Sequence, residues 1–217
     1  MSTKTPRHYS KGEEIFNSVS HGVGAVFGIA STAIMLVWAA LFGTPICIVS
    51  AAIYGFTLIL MYAMSTLYHA FPSERIKSLF QIFDHCSIFL LIAGTYTPMC
   101  MAGLGGSLGW KVFGVIWGCA VIGIVLNGVN MKRFRFISLG LYVVMGWMVM
   151  FTIKPIMAML GSAGFILLML GGVMYTVGIA FYIAKKVAYM HSVWHLFVLC
   201  GSILHFFCVL LYVLPAK

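Results

Sequence analysis

The sequence predicts an all-α membrane protein: a bundle of seven transmembrane helices with a cytoplasmic N-terminus and an outer C-terminus. Two observations predict this class. Of the 217 residues, 62% are hydrophobic and only 8% are charged, which is more apolar than a water-soluble domain of ordinary composition. The apolar residues also form runs of about 20, the length that one helical crossing of a bilayer needs. We therefore expect lipid to cover much of the surface.

Seven apolar runs result when the chain is divided at its polar stretches and at its Pro- and Gly-rich breaks. Residues 1–17 are expected to form a cytoplasmic tail, and residues 18–217 a single transmembrane domain. The first run is too long for a signal-peptide core and lacks an evident small-residue cleavage site, so we expect it to be retained. The predicted spans are 19–42, 46–70, 81–102, 110–130, 136–153, 163–184 and 191–214.

The distribution of basic residues predicts the orientation. With the N-terminus inside, ten Lys and Arg residues lie in cytoplasmic segments and three lie outside, as the positive-inside rule requires. The ten are Lys4, Arg7, Lys11, Arg75, Lys77, Lys132, Arg133, Arg135, Lys185 and Lys186, and the three are Lys111, Lys154 and Lys217. The formal charge of +9 therefore indicates loops that face anionic headgroups. Nucleic acid is not an expected partner.

Two pairs of glycines spaced four residues apart, Gly24 with Gly28 and Gly114 with Gly118, predict close contacts between helices. A missing side chain lets two helix backbones approach each other. Packing inside the bundle is the favoured interpretation for both pairs, and a seam between two copies is the alternative.

Ionisable residues inside hydrocarbon are costly, so those within the spans are candidates for function. Of the four acidic residues, only Asp84 lies within a predicted span. His69 closes the second span, His191 and His195 open the seventh, and His21 opens the first. All five groups therefore fall on the cytoplasmic side of the membrane, on four different helices.

Helical spacing brings these groups toward common points. At about 100° per residue, His191 and His195 differ by only about 40° around their helix, so both can bind one ion. Ser65 and His69 have the same i, i+4 relation. Three imidazoles suit Zn²⁺ and leave its fourth position for water. The alternative is that these side chains are polar groups at the membrane interface or form hydrogen bonds between helices. His205, about 15 Å further along its helix, is expected to be structural.

Five short segments occur in a fixed order along the chain. They are Glu14–Gly22 (EIFNSVSHG), Ser65–His69 (STLYH), Phe83–Cys86 (FDHC), Gly94–Pro98 (GTYTP) and His191–His195 (HSVWH). Together they resemble the signature segments of the bacterial hemolysin III family, whose relatives are the adiponectin and progestin receptors and, more distantly, the alkaline ceramidases. The resemblance covers essentially the whole chain.

The resemblance implies zinc held by His69, His191 and His195, with Asp84 holding a zinc-bound water and Ser65 close by. Whether Asp84 binds zinc directly or through water is left open. It also implies a multi-pass protein of the bacterial plasma (inner) membrane. The supporting groups that it implies near the cytoplasmic mouth are Glu14, Asn17 and His21.

The favoured hypothesis is a zinc-dependent hydrolase of a membrane lipid amide or ester, with a role in membrane lipid homeostasis. Asp84 would accept a proton from water, and Ser65 or the metal would stabilise the oxyanion. A receptor-like protein with structural zinc is the alternative. A pore-forming hemolysin fits less well, because no segment has the amphipathic pattern that moves from water into lipid. A proton or ion transporter fits less well because the polar groups cluster on one side.

Overall fold

The computed structural model describes residues 9–184 and 186–215, and no strand occurs within these ranges. The helices are α1 (Lys11–Phe42), α2 (Pro45–Ala70), α3 (Glu74–Pro98), α4 (Gly106–Gly146), α5 (Ile153–Ile183) and α6 (Met190–Tyr212). A π-helical segment, Met99–Leu104, follows α3, and a short 3-10 helix, Met148–Thr152, joins α4 to α5. The predicted all-α class is confirmed. The basic residues of the orientation count that lie outside the described ranges are Lys4, Arg7, Lys185 and Lys217.

Five helical stretches of the described chain are long and apolar enough to cross a membrane, and the chain is a helical membrane protein. One stretch runs from Gly106 to Ile183 and contains 78 residues. A straight helix of that length would measure about 117 Å, several times the hydrocarbon core of about 30 Å. The stretch leaves helical geometry at Asn130 (φ −162°, ψ 86°) and at Gly161 (φ 65°, ψ −178°). The positive φ at the second break favours glycine.

Helix α1 shows how this bundle separates polar from apolar groups. Its N-terminus has a capping box, in which Ser10 Oγ accepts the Glu13 N–H at 3.3 Å and the Glu13 carboxylate accepts the Ser10 N–H at 2.9 Å. Buried residues then recur every three or four positions, so they share one face. They are Glu13, Asn17, His21, Gly24, Gly28, Ser31, Met35 and Ala39. Valines such as Val19 and Val26 are exposed on the opposite, lipid-facing side.

The start of α1 lies before the first predicted span. Because α1 begins at Lys11, the last part of the expected tail of residues 1–17 is helical. Glu13 and Asn17 in this part are buried against the bundle. The division of the chain into a cytoplasmic tail and a transmembrane domain stays a prediction.

The packing of the helices brings the predicted site residues to one end of the bundle. Helix α1 packs on α2 and α6, α2 also packs on α3, and α5 packs on α6. The N-termini of α1, α3 and α6 therefore lie near the C-terminus of α2. Below this end, buried aromatic and aliphatic side chains such as Tyr54, Leu58 and Phe206 form the core.

The two glycine pairs differ in their surroundings. A Cβ at Gly24 would overlap the ring of Tyr62, and one at Gly28 would lie 3.2 Å from Ile59 Cγ1. A Cβ at Gly114 or Gly118 would meet no atom of the described residues within 4 Å. Packing inside one copy therefore explains the first pair and does not explain the second.

We expect Gly24→Ala to destabilise the protein and Gly118→Ala to leave it unchanged or slightly more stable. The new methyl group at position 24 must displace the Tyr62 ring, and overpacking of this kind costs about 1–3 kcal/mol. The gain in helix propensity, up to about 1 kcal/mol, is the same at both positions. Thermal unfolding of the detergent-solubilised variants measures the difference. Equal melting temperatures for the two variants would contradict the packing described for Gly24.

Candidate metal centre

Three imidazoles meet at the end of the bundle where the polar groups gather. His69 lies in the last turn of α2, and His191 and His195 lie in the first two turns of α6. His191 Nε2 is 3.3 Å from His69 Nε2 and 3.2 Å from His195 Nε2. All three residues are buried, and their ligand atoms lie within 4.8 Å of one another. This cluster could hold a metal ion.

Helix α1 fixes the start of α6, which carries two of the three histidines. The backbone N–H of Tyr189 donates to Glu13 Oε1 at 2.8 Å, and Tyr189 itself has the left-handed φ of 60°. The hydroxyl of Ser192 donates to Asn17 Oδ1 at 2.6 Å. Both acceptors are buried, so His191 lies between two hydrogen bonds to the neighbouring helix.

Glu14 determines which nitrogen of His69 faces the cluster. A carboxylate oxygen of Glu14 lies 2.7 Å from His69 Nδ1, and the other accepts from Lys77 Nζ. A carboxylate can only accept, so His69 Nδ1 carries a proton. In the neutral imidazole, Nε2 then directs its lone pair at the centre of the cluster. A carboxylate in this position is the usual partner of a metal-bound histidine.

Ser20 has the same effect on His195. The Ser20 hydroxyl donates its one proton to the carbonyl oxygen of Asn17 at 3.0 Å, so it accepts from His195 Nδ1 at 3.1 Å. The Nε2 lone pairs of His69 and His195 therefore both face His191 Nε2. That nitrogen carries at most one proton, and one N–H can donate to only one of the two lone pairs. A cation bound by all three nitrogens satisfies the whole set, so the residues present fit a metal ion.

Asp84 and Ser65 lie beside the three histidines without belonging to the cluster. Asp84, in α3, is buried, and Nδ1 of His85 lies 3.5 Å from its Oδ2. Ser65, one turn before His69, is fully buried, and its hydroxyl has no hydrogen-bond partner among the described residues. Buried polar atoms are rarely unsatisfied, so Ser65 Oγ is suited to bond a water or substrate oxygen at this site.

Aromatic rings cover the three histidines. The His21 ring stacks on His195, with centroids 3.5 Å apart and an angle of 12°. The Tyr9 ring stacks on His191 at 5.0 Å, and Trp194 contacts His191 and His195. Burial raises the pKa of the Tyr9 phenol, which therefore stays neutral at physiological pH. The rings limit the access of bulk water to the cluster.

The residues predicted as ligands, as catalytic groups and as supporting groups are all buried or half-buried at this end of the bundle. His205 is separate from them, and its Nε2 contacts the carbonyl oxygen of Leu168 at 3.1 Å. Ser20 was not predicted as a site residue. The sequence does carry a signal for it, because Ser20 lies three residues after Asn17 and residues three apart are neighbours on a helix surface. The sequence has no comparable signal for Tyr9 and Lys77, because their contacts depend on the tertiary fold.

A cavity of about 140 Å³ lies between α3, α5, α6 and the second half of α4. His85, Tyr182 and Trp194 line its wall nearest the histidines, and His205 lines it further along α6. The rest of the lining is largely apolar, and none of its described residues is Lys, Arg, Asp or Glu. Such a cavity is suited to an apolar chain with one uncharged polar group.

Comparison with known proteins gives consistent matches along the chain. The Haemolysin-III related family matches residues 9–206. Hemolysin-3 of Bacillus cereus is 43% identical over 203 residues, which are 94% of this chain and 93% of that protein. The Hemolysin-3 homolog of Bacillus subtilis (strain 168) is 44% identical over 200 residues, 92% and 94% of the two chains.

A more distant similarity extends to animals. The monocyte to macrophage differentiation factor of Homo sapiens is 24% identical over 167 residues, which are 74% of this chain and 69% of that protein. The two bacterial relatives match over almost their whole length, and the family match includes every residue of the histidine cluster. This chain therefore belongs to the Haemolysin-III related family.

Proposed function

We propose that this protein is a zinc-dependent hydrolase of a membrane lipid amide or ester in the bacterial plasma membrane. One observation carries the proposal. The Nε2 atoms of His69, His191 and His195 converge in a buried site, and Glu14 and Ser20 hold two of these rings with their lone pairs inward. Such a preorganised donor set is typical of metal centres, in which partners of the ligands fix their orientation.

Zinc is the metal that this donor set suits. Three imidazole nitrogens are borderline ligands that Zn²⁺ binds well, and three protein ligands leave one position open. Zn²⁺ bound there would supply Lewis acidity and would lower the pKa of a coordinated water.

The surrounding residues would carry the other parts of the reaction. The Asp84 carboxylate would accept a proton from the attacking water, and the Ser65 hydroxyl would donate a hydrogen bond to the substrate carbonyl oxygen. The apolar cavity would bind the lipid tail beside them. Glu14, Asn17 and His21 would support the ligands and would not touch the substrate.

A structural metal is the second candidate function. The ligands come from α2 and α6, and their partners Glu14 and Ser20 come from α1. A bound ion would therefore join three helices, as expected for a receptor-like protein without turnover. Dependence of hydrolysis on Asp84 separates the two functions.

We also propose seven spans with the N-terminus in the cytoplasm. The breaks at Asn130 and Gly161 divide the long helical stretch into residues 106–129, 131–160 and 162–183. Each part has more than about 20 residues, enough for one crossing. With the other four stretches these make seven. With ten basic residues on the cytoplasmic side and three outside, the histidine cluster lies at the cytoplasmic end of the bundle. Residues 18–217 form one transmembrane domain in this proposal.

Phosphatase fusions test this topology. An alkaline phosphatase that replaces the chain after Lys132 should be inactive, because that position is cytoplasmic, whereas fusions after Ser162 and after Lys217 should be active outside. A cytoplasmic reporter at the same three positions should show the reverse pattern. Equal phosphatase activity after Lys132 and Ser162 would mean that residues 131–160 do not cross the membrane.

Zinc content tests the ligands. Replacement of His69, His191 or His195 by alanine should remove most of the zinc from the purified protein, because two imidazoles cannot complete the site. The matched control is His205→Ala, a buried histidine of the same helix as two of the ligands, which should keep its zinc. Glu14→Gln should weaken zinc binding by about 10- to 100-fold, as is typical of a partner that orients a ligand. Stoichiometric zinc in the triple alanine variant would show that the ion binds elsewhere.

Asp84→Asn tests turnover. This substitution keeps the size of the side chain and removes the proton acceptor, so hydrolysis should fall by about 10²- to 10⁴-fold while zinc is retained. The measurement is fatty acid release from a panel of lipid amides and esters by zinc-loaded protein in lipid nanodiscs. If no lipid is cleaved faster by the wild type than by Asp84→Asn, the structural role of the metal is the correct one.

A further inference from the structure

His85 is an imidazole that the proposed function has not used. It follows Asp84 on α3, lines the cavity, and has a side chain that is 20% exposed. Its Nδ1 lies 2.9 Å from the carbonyl oxygen of Gln81, which can only accept, so Nδ1 carries a proton. Its Nε2 is therefore the atom through which His85 exchanges a proton with a ligand.

The surroundings of His85 hold it in place at the wall of the cavity. The Tyr182 hydroxyl, on α5, lies 3.4 Å from His85 Nε2, and both residues line the cavity. The Tyr142 hydroxyl, on α4, donates to the backbone carbonyl of His85 at 2.7 Å. Three elements thus meet at this residue. The contact with Tyr182 is long for a hydrogen bond, so a ligand can replace it at little cost.

The neighbour of His85 supplies the matching carboxylate. Asp84 Oδ2 lies 3.5 Å from His85 Nδ1, close enough for the carboxylate and the imidazole to act on one substrate. The proposed proton acceptor and this imidazole are therefore adjacent, and only the imidazole lines the cavity. A pair in which one group takes a proton and the other gives one is what hydrolysis of an amide needs.

From this geometry we infer that His85 is a further catalytic residue, which protonates the leaving group, and that Tyr182 is a positioning residue that orients its ring before the substrate takes its place at Nε2. The inference rests on the proposed hydrolase function. For an amide, the water oxygen forms a bond to the carbonyl carbon and a proton of that water passes to Asp84. The carbon–nitrogen bond breaks, and the nitrogen takes the Nε2 proton of His85. The products are a fatty acid and an amine, after which water restores the proton to His85 and removes that of Asp84.

A comparison of leaving groups tests this role. The two substrates are an N-alkyl dodecanamide, whose nitrogen must be protonated to leave, and p-nitrophenyl dodecanoate, whose phenolate leaves without a proton. In zinc-loaded full-length protein in nanodiscs, His85→Gln should lower the rate on the amide by about 10²- to 10⁴-fold and leave the rate on the ester almost unchanged. Zinc content and melting temperature should match the wild type.

Two further variants keep the test decisive. Tyr182→Phe should show a smaller loss that is also confined to the amide. His205 is a cavity histidine far from Asp84, so His205→Gln should change both rates by the same factor.

Equal loss on both substrates in His85→Gln, or full activity on the amide, would refute the inference while the hydrolase function stands. If the wild type cleaves neither these two substrates nor any lipid of the panel, the proposed function fails and the inference fails with it.

Discussion

The constraint on which this structure depends is the cost of placing polar groups where water cannot reach them. In hydrocarbon, an unsatisfied polar group costs several kcal/mol, so polar groups gather where they can find partners within the bundle. Helix α1 places its polar residues on one buried face, where the Glu13 carboxylate and Asn17 Oδ1 accept hydrogen bonds from the start of α6. The C-terminus of α2 and the N-terminus of α6 supply the complementary groups. The polar end of the bundle is the result, and the metal centre is part of it.

The partners of the histidines matter as much as the histidines. Without Glu14 and Ser20, either nitrogen of His69 and His195 could carry the proton, and the lone pairs would have no fixed direction. These partners come from α1, whereas the ligands come from α2 and α6. Correct packing of three helices therefore sets the direction of the lone pairs. The contacts that preorganise the site therefore also join α1 to α2 and α6.

Much of this arrangement could be predicted from the sequence, because bilayer thickness and helical spacing are strong constraints. The two breaks, at Asn130 and Gly161, fall at or between the ends of predicted spans, and the histidines meet as expected. The partners Tyr9 and Lys77 could not be predicted, since nothing in local spacing records contacts across helices. Gly24 and Gly118 have the same sequence pattern but opposite surroundings. Only the rotation of each helix in the bundle distinguishes them.

The left-handed residue at the start of α6 has a consequence for the connection before it. Tyr189 has a conformation that costs about 1–3 kcal/mol for a residue with a side chain, and Glu13 of α1 holds its N–H. The start of α6 is thus anchored to a distant part of the chain, the N-terminal turn of α1. We therefore expect a change in the length of the connection between α5 and α6 to leave this anchor in place.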